Sequence, residues 1–149
     1  MTDLSPTQGA FDGRDHLLPV RVYYEDTDFS GFVYHASHLK FFERGRTDFL
    51  RAIGVSHSAL LADGLGLVVR RMEIDWRRPA VIDDALVVRT RALTARGARM
   101  TLLQRLERND GLIAEAQVQV ALIELSGRPA KLTADLAAKL EPWLQSPAP

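Results

Sequence analysis

The chain contains no cysteine, no surplus of charge of either sign and no long apolar run. Without cysteine there are no disulfides, no thiolate chemistry and no cysteine metal site, a composition that suits a reducing cytosol. The 19 basic and 19 acidic residues balance, so nothing in the charge favours nucleic acid or an anionic membrane as a partner. No apolar run approaches the ~20 residues that a membrane-spanning helix needs. We therefore expect a cytoplasmic protein with no membrane span and no nucleic-acid partner.

The length and composition indicate one domain. In a chain of 149 residues, 46% of them hydrophobic, folding can remove about 68–70% of the unfolded chain's surface from water. Residues 1–15 are polar and acidic, unlike a signal peptide, and we expect a flexible N-terminal arm there. Residues 145–149 are expected to form a frayed tail. The sequence thus predicts a single domain over residues 16–144.

A long helix is predicted between residues 35 and 53. Its apolar residues recur at i+3, i+4 and i+7, the spacing of one helix face; they are Leu39, Phe42, Phe49, Leu50 and Ile53. Gly54 follows at the position where a glycine commonly ends a helix. Ser56 is a suitable cap for a second, short helix over residues 57–63.

Most of the remaining chain has the composition of strands. The predicted strands run over residues 17–24, 65–79, 84–93, 99–108 and 112–124. Asn-Asp-Gly at 109–111 is a hairpin signal, and a short amphipathic helix is expected over residues 133–144. One strand, a long helix and then four strands joined by tight turns predict an α+β fold. In it, a curved antiparallel sheet of about five strands wraps the central helix.

The stretch YYEDTDFSGFVYHASHLKFFERGR, residues 23–46, places three acids and a glycine turn just before the long helix. The first turn of a helix leaves backbone N–H groups unpaired and carries a partial positive charge. Those groups can bind an oxygen that gains negative charge during a reaction. Asp28, seven residues before His35, lies across a turn that Gly31 allows to fold tightly. An acyl carbonyl fits between the two, with its oxygen at the helix start and its carbon facing Asp28.

The string D-x-D-x-x-G-x-V-Y-H within residues 23–54 closely resembles the signature of hot-dog acyl-CoA thioesterases of the 4-hydroxybenzoyl-CoA thioesterase type. The similar branch is that of the Tol–Pal-associated acyl-CoA thioesterases. The resemblance implies that Asp28 is catalytic and that the backbone N–H of His35 polarises the thioester carbonyl. It also implies that Gly31 and Tyr34 border the substrate.

Further expectations come from the same resemblance. The reaction is hydrolysis of an acyl-CoA thioester to a free acid and coenzyme A, and it needs no cofactor because a thioester is already an activated acyl group. Two subunits are expected to join their sheets edge to edge, with the active site between them, in a dimer or a tetramer. Long strands with little proline to blunt their edges favour such pairing independently.

Several alternatives stay open at this point. Asp28 is either a nucleophile or a general base on water, or it merely caps the helix, and Glu25 and Asp26 are interpreted as solvated turn residues. The His35 ring either orients water or Asp28, or contributes nothing beyond its backbone. His35 and His38 stand three apart, but no third ligand lies in register, so no metal is expected. A different class of function is a non-catalytic module that binds acyl-CoA or acyl carrier protein in the same groove; a hot-dog hydratase is disfavoured because no hydratase motif is present.

Two sets of charges need separate interpretation. Arg46 falls in the middle of the apolar helix face and Glu43 borders it, so we expect the two to pair at i,i+3, since an unpaired buried charge is costly. Coenzyme A carries phosphates, and its binding requires cations. Arg96 and Arg99 are the predicted substrate-binding arginines, chosen for their position near Gln104.

Overall fold

The computed structural model describes residues 1–145. The elements in chain order are β1 (Ala10–Asp12), β2 (Asp15–Arg21), α1 (Ser37–Ala52), α2 (His57–Ala62), β3 (Leu65–Trp76), β4 (Ala85–Arg96), β5 (Arg99–Arg108), β6 (Gly111–Glu124) and α3 (Ala134–Leu140). Single 3₁₀ turns lie at Tyr24–Asp26 and Glu141–Trp143. The strands form one antiparallel sheet in the order β1-β2-β4-β5-β6-β3. The predicted α+β fold is confirmed, and β1 and β3 are the two edges of its sheet.

The sheet has six strands rather than about five, because part of the predicted arm joins it. Ala10–Asp12 pairs with the start of β2, and Phe11 stacks on Trp143 with ring centroids 4.1 Å apart. The arm prediction is therefore wrong for this segment, because it pairs in the sheet and the partly buried Phe11 packs against the core. Of the predicted tail only Gln145 is described; its N–H donates to the Ala92 carbonyl at 2.9 Å, and residues 146–149 lie outside the described residues.

The helix α1 packs against β2, β4 and β5. Its buried face includes Phe42, Phe49 and Leu50, as predicted, together with Phe41, which the periodicity did not select. Leu39 is 39% exposed, so its predicted burial is wrong. The helix begins at Ser37, two residues later than predicted, and Gly54 follows its end at φ +91°.

Gly45 sets how closely α1 approaches the sheet. A Cβ atom at this position would lie 2.4 Å from Cγ1 of Val88 on β4, far inside van der Waals contact. It would also come within 3.1 Å of the Gln104 amide nitrogen on β5. The missing side chain therefore lets the helix backbone rest directly on two central strands.

The opposite edge of the sheet is less covered. β3 pairs with β6 alone among the described strands, and Val68 and Val69 on it are 41% and 45% exposed. A bulge between Val69 and Arg71 interrupts the pairing. The long edge of β3 thus carries unpaired backbone groups beside exposed apolar side chains, the kind of edge that pairs with another strand.

The predicted cap at Ser56 and the predicted hairpin turn after β5 are both confirmed. Ser56 accepts a hydrogen bond from the Ala59 N–H at 3.1 Å and so caps α2, and residues 109–110 make the turn from β5 to β6. Within residues 1–145 there is no helix with the length and hydropathy that crossing a bilayer would take.

Candidate active site

Asp28 lies in a tight turn between β2 and α1. Its carbonyl accepts from the Gly31 N–H at 3.0 Å and its N–H donates to the Phe32 carbonyl at 3.0 Å. Gly31 sits at φ +85°, a conformation that side chains other than glycine rarely adopt. A bridge between Thr27 and Val33 closes the loop. The backbone therefore holds the Asp28 carboxylate at a defined place while leaving it exposed to solvent.

The Asp28 carboxylate is organised within its own turn. Oδ1 accepts from the Ser30 N–H at 2.8 Å and from the Ser30 hydroxyl. These two bonds lower the pKa of Asp28, the hydroxyl most, and the electrostatic effect of His35 lowers it further. Asp28 is therefore ionised at neutral pH. It does not cap α1, because the N-cap is Ala36 and no side chain binds there, so the capping alternative is wrong.

The other two acids of the stretch behave differently from each other. Glu25 is exposed, as predicted. Asp26 is only 7% exposed: Oδ2 accepts from the Tyr23 N–H at 2.8 Å, and its carbonyl accepts from the Tyr34 N–H at 2.9 Å. The interpretation of Asp26 as a solvated residue is wrong, because its side chain ties the loop backbone together.

The backbone just before α1 presents free donors. Among residues 1–145, neither the His35 N–H nor the Ala36 N–H has an acceptor. The His35 carbonyl, by contrast, is fixed from two sides, by Nε1–H of Trp76 at 3.1 Å and by Nδ1–H of His38 at 3.2 Å. The helix start is thus rigid and offers unpaired N–H groups where its axis is partly positive.

Aromatic rings surround His35. Its ring centroid lies 4.5 Å from that of Tyr34 and 6.1 Å from that of Trp76. His38 is buried behind them, and burial lowers its pKa, which favours the neutral ring. Trp76 is the member of this group that sequence reasoning missed: it comes from the end of β3, 41 residues along the chain.

The structure thus gathers Asp28, Gly31, Tyr34 and His35 in one place, but it puts the predicted arginines elsewhere. Arg96 and Arg99 face each other at the turn between β4 and β5. The sheet register runs from Arg99 through Ala121 to Val68. Trp76 lies eight residues beyond Val68, which is about 27 Å along a strand. Within one chain these arginines do not reach the His35 region.

The reason given for choosing those arginines is also wrong. Gln104 is fully buried, with its side chain on the face of β5 that points into the core. Its amide nitrogen donates to the Phe42 carbonyl and to the Thr90 hydroxyl, both at 2.9 Å. Arg96 and Arg99 are exposed and line, with Arg70, a cavity of about 510 Å³. They form a separate cationic surface.

Arg46 is buried, as predicted, but not paired as predicted. It is 8% exposed, and its Nη1 donates to Oε1 of Gln104 at 3.0 Å. Among the described side chains no ion pair joins Arg46 to Glu43, which is exposed. Burial lowers the pKa of Arg46, and the nearby Glu43 charge opposes that change. The expected i,i+3 pair is replaced by a contact across the core.

The chemistry available at the helix start is acyl transfer. An ionised carboxylate, held and exposed, stands within electrostatic reach of His35, whose backbone N–H is free. Such a pair can attack or activate water beside a carbonyl whose oxygen the N–H receives. In the part of the chain that the structure describes, His, Asp and Glu side chains nowhere gather in threes that could hold a metal ion.

Comparisons with known proteins agree with this chemistry. The family model of the thioesterase-like superfamily matches residues 22–145. An acyl-CoA thioesterase, YbgC of Haemophilus influenzae, is 45% identical over 109 residues, which is 72% of this chain and 80% of that protein. An acyl-CoA thioester hydrolase, YbgC of Escherichia coli O6:H1, is 40% identical over 125 residues, or 83% and 93% of the two chains.

A solved structure extends the likeness to the fold. The crystal structure of a probable thioesterase from Bartonella henselae is 44% identical, covers 80% of this chain and 99% of its own, and superposes with a TM-score of 0.76. The predicted resemblance and the predicted hot-dog fold are both confirmed.

Proposed function

The chain belongs to the thioesterase-like superfamily and is a thioesterase; we propose that it hydrolyses acyl-CoA to a free acid and coenzyme A at the turn and helix start described above. The observation that carries the proposal is the juxtaposition of the ionised Asp28 carboxylate and the unpaired His35 N–H. The names of the two similar proteins support acyl-CoA as the substrate class.

The thioester carbonyl oxygen is proposed to accept a hydrogen bond from the His35 N–H at the positive end of α1. As the carbonyl carbon becomes tetrahedral, its oxygen gains charge and the N–H stabilises it; one such donor is worth about 10²–10³ in rate. Trp76 contributes by holding the adjacent His35 carbonyl, and so acts as a positioning residue.

Asp28 is proposed to act on the carbonyl carbon by one of two routes. As a nucleophile it forms a mixed anhydride while the C–S bond breaks and the coenzyme A thiolate leaves and takes a proton; water then hydrolyses the anhydride. As a general base it takes a proton from a water molecule that attacks directly. Single-turnover hydrolysis in heavy-oxygen water tests the nucleophilic route, because label in the Asp28 carboxylate requires an anhydride in which water attacks the Asp28 carbonyl carbon.

Gly31 and Tyr34 are proposed to shape the substrate's approach. Gly31 has no atom within 4 Å of where its Cβ would lie, so the space above the turn is open to the acyl group. Tyr34 is 44% exposed beside the His35 ring. Its ring forms a wall next to the oxyanion donor.

A homo-oligomer, dimer or tetramer, is proposed from the free edge of β3. Antiparallel pairing of two β3 edges carries the Arg96 and Arg99 end of one sheet toward the Trp76 end of the other. We propose that these two arginines bind the phosphates of coenzyme A in the partner's site, which also accounts for their distance from Asp28 in the same chain. Light scattering at micromolar concentration tests the assembly, and a monomer contradicts it.

The test of the activity is a thiol-release assay over a panel of acyl-CoAs. Turnover of at least part of the panel is expected, in a cytoplasmic protein that needs no added cofactor. Binding of acyl-CoA without release of thiol would instead establish the non-catalytic module. The same acyl groups carried on acyl carrier protein, assayed in parallel, show whether that carrier is also a partner.

A further inference from the structure

A cavity of about 180 Å³ lies between α1 and the open edge of the sheet. Its apolar walls include Leu50, Leu67, Val69 and Val120, and the polar residues Glu43, Thr47 and His57 also line it. Arg46 also lines it and is 92% buried, being 8% exposed. It is unusual for a nearly buried guanidinium to lie in the wall of a partly apolar cavity, because a buried charge needs partners.

The Arg46 guanidinium lacks those partners. Of its five N–H donors, Nη1 alone has an acceptor among the described residues, the Gln104 amide oxygen. In residues 1–145, the single side-chain N or O atom that is both sealed from solvent and unpaired is Nδ1 of His16. The remaining nitrogens of Arg46 therefore border open space, and the cavity is the open space that Arg46 lines.

The cavity lies on the helix face that the proposed reaction uses. At 100° per residue, Leu39 and Arg46 project within roughly 20° of each other on α1. Nine residues at a rise of 1.5 Å put Arg46 about 14 Å along the axis from Ser37, where the helix starts. Its side chain leans back toward the helix start, as helical side chains do. Val69 on the cavity wall lies seven residues, or about 23 Å along β3, from Trp76, which bonds the His35 carbonyl. A long acyl chain held at the His35 N–H and lying beside this strand therefore ends at the Arg46 cavity.

Resting on the proposed function, we infer that this cavity receives the far end of the acyl group and that Arg46 donates to an oxygen carried there. The apolar walls bind the chain, and the guanidinium selects for an acceptor. The Glu43 charge acts on Arg46 from the cavity rim and already offsets part of its charge, which favours a neutral hydroxyl or keto oxygen over a second carboxylate. The preferred substrates are thus acyl-CoAs oxygenated near the end of the chain.

The test compares kcat/KM for a long-chain acyl-CoA with that for its ω-hydroxy analogue. The wild-type enzyme is expected to favour the hydroxy compound by about tenfold, the scale of one hydrogen bond to a charged donor. A short-chain acyl-CoA, which cannot reach the cavity, is the reference. If no acyl-CoA is cleaved, the proposed function fails. If the short one is cleaved but the two long ones react alike, this inference fails.

Two variants test the inference without relying on the size of the wild-type preference in kcat/KM. Arg46→Met removes the donor, and Val69→Phe fills the cavity while keeping Arg46; Val69 pairs in register with the buried Val120. Both are expected to abolish the preference while still cleaving the short substrate. Arg44→Met, at the exposed neighbouring arginine, is the matched control and should retain the preference. A preference that survives in a folded Arg46→Met or Val69→Phe overturns the inference.

Discussion

The two sides of α1 are built in opposite ways. Toward β2, β4 and β5 the helix buries three phenylalanines completely and rests its Gly45 backbone on Val88. Toward β3 it faces an unpaired edge, a cavity and the half-exposed Trp76. The closed side fixes where the helix stands, and the open side leaves room beside it. One surface of α1 thus fixes the position of the helix, and another borders the proposed active site.

The largest effect is expected from Asp28→Asn, in the turn before α1 on its open side. Asn keeps the shape of the turn, but it is neither a base nor a nucleophile, so kcat should fall by at least about 10²-fold with an unchanged melting temperature. Asp26→Asn, in the buried half of the same loop, should show the reverse pattern: lower stability, because a buried acceptor is disturbed, and a much smaller loss of kcat. Thiol release and thermal melting measure both. A stable, active Asp28→Asn contradicts the proposed site.

Next in size is a methyl group added to the closed side. Gly45→Ala places Cβ against Val88, and overpacking of this kind costs typically about 1–3 kcal/mol. Gly66→Ala in β3 is the matched control, since its Cβ meets nothing within 4 Å. Urea unfolding of the two variants compares the sides directly. Equal stability for both would show that the helix can shift on β4 without cost.

A smaller effect is expected from Trp76→Phe, which keeps a ring but removes the hydrogen bond to the His35 carbonyl. The net value of such a bond, about 0.5–1.5 kcal/mol, corresponds to a loss of kcat of up to about tenfold. Trp143→Phe changes the tryptophan that stacks on Phe11 in the closed half, and should leave kcat unaltered. Unchanged turnover in Trp76→Phe would mean that the helix start needs no support from β3.

The smallest expected effect is a loss of stability at acidic pH, which requires no substitution. Burial lowers the pKa of His16 below its usual 6.5 in the folded protein. As pH falls, His16 is therefore protonated in the unfolded chain before it is protonated in the folded one. Stability should therefore be full above about 6.5 and decline as pH drops from there toward the folded-state pKa. His16→Gln should flatten part of this dependence in denaturant titrations at several pH values. A pH dependence as steep in a folded His16→Gln as in the wild type would contradict this account.

The main elements of this fold could be read from the sequence because each one carries its own periodicity. α1 and the strands β2 to β6 show apolar spacing over many residues, and Gly54 and Ser56 mark helix ends by local chemistry. β1 has only three residues, with one large apolar side chain, Phe11, so it is too short for any period to appear. It was missed because its burial depends on Trp143, far away in the chain.

The candidate site divides in the same way. Asp28, Gly31 and His35 lie within eight residues, so a motif can reveal them together. Trp76 reaches His35 from 41 residues away and Gln104 reaches Arg46 from 58, and no local spacing encodes either contact. The predicted pairing of Glu43 with Arg46 failed for this reason: helix spacing permits neighbours at i+3 but says nothing of a better partner across the core.

The hydrogen bond from Trp76 to the His35 carbonyl has a consequence for enzymology. Trp76 ends the same strand whose outer edge is proposed to meet a second copy of the chain, so the residue that supports the oxyanion donor and the subunit contact lie on one strand. Separating the subunits releases that strand and loosens the donor. Specific activity per subunit should then decline on dilution below the dissociation constant of the assembly, so that turnover itself reports the association state.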